Sequence, residues 1–211
     1  MEQIIQHPEI SKEDYNNYIL QGIDYHQYKI QMEKDFQMNT DEQVKEYIKL
    51  NTSRMHRVEK MYGLSKEMEQ TLHSLKHKIY WLILTEHWCG DAAQSLPVFN
   101  KIAEANKDKI DMKLVYRDQH PELMNAYLTN ETKSIPKLIQ LDQSFNVTGI
   151  WGPRPSVAQE LVKELKSNPE TTLTYGNQLH LWYAKDKQKS LEKEIEKLIS
   201  RANLICTDYI S

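Results

Sequence analysis

Residues Ile79–Thr85 read Ile-Tyr-Trp-Leu-Ile-Leu-Thr, a nearly unbroken run of bulky apolar side chains. A strand with one wet face alternates apolar and polar residues. A run without alternation is buried on both faces, which favours a parallel sheet covered by helices. The downstream pattern fits such a sheet. Residues 91–106 favour helix, and 112–116 read as a second strand. A short helix at 121–128 has Pro121 in its permitted first turn. Lys137–Leu141 and Val147–Trp151 read as strands joined by the polar turn Asp142-Gln143-Ser144. A helix is expected at 156–166. Leu191, Ile195, Leu198, Ala202 and Ile205 then make an apolar stripe under a Lys/Glu-rich face. The order β-α-β-α-β-β-α, followed by a long helix, predicts an α/β fold, a three-layer α/β/α sandwich.

The first 78 residues read as helical. Ser11 and Asp14 have capping-box spacing, and Ile19, Ile23, Ile30 and Phe36 fall near one face. Thr40 and Gln43 predict a second cap, followed by the stripe Val44, Ile48, Met55, Val58 and Tyr62, with Gly63 placed to end the helix. A third helix is predicted over 65–77. Stripes of this kind are packing surface. The expected organisation is a helical N-terminal extension (1–78), a core (79–170) and a C-terminal helical segment packing on it (171–211). No internal repeat or low-complexity segment is present.

A chain of 211 residues is long enough for a core without disulfide or metal staples. Its net charge of -3 gives no electrostatic reason to expect a nucleic-acid partner. No apolar run approaches the ~20 residues that span a bilayer, and the first residues resemble no signal peptide. The sequence-based expectation is a cytoplasmic protein with no membrane partner, in which three Asn-x-Ser/Thr sequons carry no meaning. The two cysteines, Cys89 and Cys206, suggest neither a disulfide framework nor a Cys-based zinc site, and no metal or other cofactor is expected; eight histidines leave other metal chemistry formally open.

Chemistry concentrates at Trp88-Cys89-Gly90-Asp91-Ala92, where the first strand gives way to a helix. Free N–H groups and the positive dipole end of a helix stabilise a thiolate, the nucleophilic form of cysteine. His87, when protonated, would add to this. Asp91 opposes it, because a neighbouring carboxylate raises a thiol pKa. Cys89 is thus read as an exposed, reactive thiol, partly ionised at neutral pH; the competing reading is a relic cysteine on a binding scaffold.

At this point the sequence resembles the thioredoxin superfamily, in which Trp-Cys-Gly-Pro-Cys ends the first core strand and starts a helix. Pro97 matches the proline that commonly kinks that helix. Ser134-Ile135-Pro136, ahead of a strand, is similar to the cis-proline loop that faces the cysteine, and Gly149 and Gly152 are in keeping. The resemblance covers roughly residues 75–170. It is nearest to bacterial thioredoxin-like proteins with a Trp-Cys-Gly-Asp-Ala motif and a helical extension. Two departures matter. Ala92 stands where the resolving cysteine would be, and Ile83 where thioredoxins bury a proton-handling acid.

The resemblance implies Cys89 as catalytic thiol. Trp88, Gly90, Asp91, Ile135 and Pro136 become the substrate-binding residues, with Pro136 cis and its loop close to Cys89. It implies monothiol exchange with protein disulfides or a low-molecular-weight thiol. A non-catalytic binding or chaperone module is the alternative, and peroxide reduction is a third reading that lacks an activating motif. The expected places of the other candidates are the surface for His87, a salt-bridged loop for Arg117 and Asp118, and a frayed tail for Cys206. A meeting between Lys137 and an acidic thiol partner is the weaker reading of that lysine.

Overall fold

The computed structural model describes residues 9–205. Four helices come first: α1 (Lys12–Gln21), α2 (Tyr25–Met38), α3 (Glu42–Met61) and α4 (Lys66–Ser74). They lead into β1 (Ile79–Thr85), α5 (Gly90–Ala105), β2 (Ile110–Tyr116), a 3-10 turn (Arg117–Gln119) and α6 (Pro121–Ala126). The rest is β3 (Lys137–Leu141), β4 (Val147–Trp151), α7 (Ser156–Ser167), α8 (Tyr175–Asp186) and α9 (Lys189–Ile205).

The sheet order is β2-β1-β3-β4. β1 runs parallel to β2 and antiparallel to β3, with Ile83 between Leu114 and Leu138. β1 is therefore an inner strand. Its side chains are almost all buried, as an apolar run without alternation requires. Trp81 contacts Phe99 of α5 edge-on and donates through Nε1 to Gln140, which in turn donates to the Leu198 carbonyl of α9. These contacts hold α5 and α9 to the sheet. α1 packs against β1 and β2, and its Tyr15 hydroxyl meets that of Tyr127 after α6. The result is the three-layer α/β/α sandwich.

Several local expectations are corrected. Ile19, Ile23, Ile30 and Phe36 do not share one helix: Ile19 lies on α1, Ile30 and Phe36 on α2, and Ile23 between them. The chain breaks at Gly22, and Ile23 exchanges backbone hydrogen bonds with Leu114 at the sheet edge. Asp41, not Thr40, caps α3, accepting from the N–H groups of Gln43 and Val44 at 2.9 and 3.2 Å. That helix ends at Met61 with Tyr62 as its cap, so Gly63 lies beyond it. α4 stops at Ser74, short of residue 77. The C-terminal segment holds two helices, and α8 lacked a clear stripe in the sequence.

Among the described residues, no helix is long and apolar enough to cross a membrane, and no cluster of three or more His, Cys, Asp or Glu side chains is placed to hold a metal. Cys206 lies outside the described residues.

Candidate functional site

The turn after β1 is held from α2 and α3. Tyr28 donates to the Glu86 carbonyl at 3.1 Å, and Asn51 donates to the His87 carbonyl at 3.0 Å. The His87 ring is buried, with Nδ1 2.8 Å from Asp35 Oδ2 and Nε2 2.8 Å from the Tyr116 hydroxyl. This overturns its placement on the surface: α2 and β2 each supply a partner to the ring, so it can be buried. Burial pulls its pKa down, against the Asp35 carboxylate.

Cys89 is the N-cap of α5. Its Sγ accepts the Ala92 N–H at 3.4 Å and lies 3.3 Å from the Ile135 carbonyl, to which the thiol donates. The Ile135–Pro136 bond is cis, and its loop packs on Cys89. However, Cys89 is only 6% exposed. Burial, and after it the Asp91 carboxylate, push the thiol up to about 12, against the backbone N–H groups of Ala92 and Asp91 and the Arg154 guanidinium. The expectation of an exposed, partly ionised thiol is therefore corrected. Removing the sulfur from water outweighs the helix terminus. A proton on Sγ also makes the bond to Ile135.

Asp91 is equally buried but has side-chain partners. Arg154 reaches its Oδ2 with Nε at 3.0 Å and Nη2 at 2.5 Å, while Tyr183 of α8 donates to Oδ1 at 2.7 Å. Arg154 in turn donates to Gln159 of α7 at 2.7 Å. Gly90 leaves room for two further groups. A Cβ there would stand 3.0 Å from the His180 imidazole and 3.3 Å from Arg54 Nη1. Gly152 has φ +121, and a Cβ on it would fall 2.2 Å from the Pro136 carbonyl oxygen, so only glycine fits behind the loop. The Arg117 guanidinium stacks over Trp88 at 4.8 Å and also pairs with Asp118 at 2.8 Å, so this residue is both salt-bridged and in the cleft wall.

A cleft of ≈ 600 Å³ opens over these groups. Trp88, Cys89, Gly90, Asp91 and Ile135 line it; Pro136 is buried behind Ile135 and does not. Lys137 is buried, and its ammonium donates to the Thr129 hydroxyl. Burial lowers it to about 8. Ile83 and Ala92 are fully buried, so neither the place of the usual acid nor that of the second thiol holds a polar group.

Sequence reasoning missed Arg154, Tyr183, His180 and Arg54. A signal for the first was Gly152-Pro153-Arg154-Pro155, where prolines fix the backbone around one charged residue. A signal for α8 was the pair His180 and Tyr183, one turn apart within Leu179-His180-Leu181-Trp182-Tyr183.

Residues 37–166 match the family described as thioredoxin. The chain belongs to the thioredoxin family. Among solved structures it is similar to a protein of unknown function from Pseudomonas aeruginosa, at 16% identity and a TM-score of 0.63, covering 89% of this chain and 98% of that one. An HIV epitope-scaffold protein is similar at 15% identity and TM-score 0.59, covering 88% and 96%. Likenesses at this identity concern the fold alone. No curated protein matches. The family match starts inside α2, so it takes in α3 and α4 of the helical extension as well as the sheet through α7.

Proposed function

We propose that the protein carries out monothiol thiol–disulfide exchange through Cys89. The observation that supports this most is the placement of one sulfur. Cys89 Sγ caps α5, faces the cis Ile135–Pro136 loop and opens on a cleft, while the neighbouring position of a second thiol is the buried methyl of Ala92.

In the exchange, Cys89 loses its proton to solvent and attacks one sulfur of a disulfide. A new S–S bond forms, the old one breaks, and the other half leaves as a thiolate. An external thiol then attacks the adduct and releases Cys89. Gly90 lets Arg54 and His180 stand close to the reacting sulfur. Ile135 offers the backbone carbonyl that the thiol now occupies. Trp88 and Asp91 form the floor beside it, and Pro136 fixes the loop. The resting thiol is neutral, so exchange is slow until a disulfide enters and displaces the bond to Ile135. Protein disulfides and small thiols are both within this reading, and the chemistry requires no metal or organic cofactor.

A second reading, a binding module with an inert cysteine, is favoured by the burial and raised pKa of Cys89. One experiment separates them. Wild type and Ala92→Cys are incubated with glutathione disulfide at pH 8.5 and analysed by intact mass. The expected result is a wild-type adduct on Cys89 that persists, and in Ala92→Cys an internal disulfide that expels glutathione and supports insulin reduction. Absence of any Cys89 adduct, together with an inert Ala92→Cys, would establish the binding module instead.

A further inference from the structure

The cleft above Cys89 is strongly one-sided in charge. Four cations line it, Arg54, Arg117, Lys133 and Arg154, against one carboxylate, Asp91. Asp91 is already consumed by Arg154 and Tyr183. Among the described residues, Arg54 and Lys133 make no ion pair, and Arg117 pairs only with the exposed Asp118 beside it. Arg54 is not a loose surface side chain. Its Nη1 donates to the buried Asn51 at 2.8 Å, the same Asn51 that holds the His87 carbonyl of the cysteine turn. Gly90 leaves the space it occupies. His180 stands beside it, and burial followed by Arg54 lowers its pKa to about 4, so this ring adds no charge at neutral pH. The overall charge of the chain is -3, so the cationic cleft runs against its composition.

A cation held by a structural hydrogen bond and partly dehydrated, whose nearest carboxylate influence, Asp91, is already bonded to Arg154 and Tyr183, is arranged for an anion that comes from elsewhere. Its distance from the chemistry is short, because Gly90 adjoins Cys89. We infer that the cleft selects a small anionic thiol, bearing carboxylate or phosphate groups, whose acidic groups sit on Arg54 and Lys133 while its sulfur joins Cys89. Arg117, stacked on Trp88, forms the far side of the same subsite. This rests on the monothiol reading for the covalent step. The oxidant is the small thiol's own disulfide: Cys89 is oxidised to the mixed disulfide, and half of the incoming disulfide is reduced and leaves as thiolate.

The test measures second-order rates of Cys89 adduct formation. The disulfides are those of glutathione (carboxylates), coenzyme A (phosphates), 2-hydroxyethanethiol (neutral) and cysteamine (cationic), each normalised to its rate with free dithiothreitol. The anionic disulfides are expected to exceed the neutral one by about tenfold at low salt, the scale of two partly screened charge pairs. The cationic one should be slowest. The advantage should collapse in 1 M salt and in Arg54→Gln/Lys133→Gln, and survive in Lys163→Gln on the exposed side of α7. Whichever of the two anions gains more identifies the acidic group. Equal normalised rates for all four disulfides would overturn the subsite while leaving monothiol exchange intact. If no disulfide reacts, the exchange reading fails, and the unreactive S-methylglutathione and inorganic phosphate decide the subsite alone. Saturable movement of the His180 ring signals, lost in Arg54→Gln/Lys133→Gln, supports it; unmoved signals reject it.

Discussion

Cys89 and Asp91 stand two residues apart at the same helix terminus, but the walls around them are built differently. Around the thiol lie backbone and apolar side chains: the turn after β1, the Ile135 carbonyl and the methyl of Ala92. Around the carboxylate lie Arg154 and Tyr183, brought by the loop after β4 and by α8. A low-dielectric wall offering one carbonyl favours the neutral thiol, whereas the wall around Asp91 supplies a guanidinium and a hydroxyl as hydrogen-bond partners. A helix N-terminus therefore does not by itself ionise the thiol it carries. The walls also differ in fragility. The thiol wall is made of backbone groups, with its turn gripped by Tyr28 and Asn51, whereas the carboxylate wall is made of a few side chains.

Breaking the carboxylate wall should have the largest effect. Arg154→Ala leaves Asp91 buried without its counter-charge, and removing one partner of a buried pair costs about 3–5 kcal/mol. Urea unfolding is expected to show a loss of that size, together with loosening of α8 in hydrogen exchange. A loss below about 1 kcal/mol would mean that Asp91 is solvated in solution. Tyr183→Phe is the milder cut. It removes one hydrogen bond to a charged group, worth about 1.5–3 kcal/mol, and should fall between Arg154→Ala and wild type in the same experiment.

The two walls also differ in how visible they were beforehand. The thiol wall was legible because its parts are tied to backbone: an apolar run marks β1, the Trp-Cys-Gly turn follows it, and Ile135-Pro136 precedes β3. Such features carry local sequence signals. The carboxylate wall depends on contacts between residues far apart, Asp91 with Arg154 and Tyr183, and no local period encodes them. α8 also lacks a clear stripe, since Leu181 on it is exposed while His180 and Tyr183 turn inward. The state of Cys89 was misjudged for a related reason. The motif reveals the helix terminus but not the burial that outweighs it.

Asp91→Asn tests the coupling between the walls. It deletes the carboxylate that raises Cys89 and frees Arg154, which lowers it, so both changes move the thiol in one direction. Iodoacetamide alkylation of the wild type, with Cys206→Ser as background, should be slow at neutral pH and rise with a midpoint above that of a free thiol. The variant should react faster at each pH below that midpoint. A shift of one unit corresponds to about tenfold in rate. Unchanged alkylation would show that burial alone sets the thiol.

The smallest expected effect lies at the meeting of the walls, at His180. Its pKa is lowered to about 4, first by burial and then by Arg54. A histidine held neutral in the folded state adds stability above its unfolded pKa of about 6.5. That stability is lost as pH falls from there toward about 4, because the unfolded chain binds the proton first. His87 is lowered as well and loses stability in the acid direction too. The measurement must therefore isolate His180, by following its ring signals by NMR after assignment with His180→Gln. In Arg54→Gln the His180 midpoint should rise, because one repelling charge is gone, but by less than one unit, about 1.4 kcal/mol, because burial remains the larger cause. The acid-side loss between pH 7 and 5, measured by urea unfolding, should become correspondingly shallower. The same two measurements in Ala92→Ser, a change confined to the thiol wall, should leave the His180 midpoint where it is. If Arg54→Gln does not move the His180 titration, the guanidinium does not face that imidazole in solution, and the charged wall closes over Gly90 in some other way.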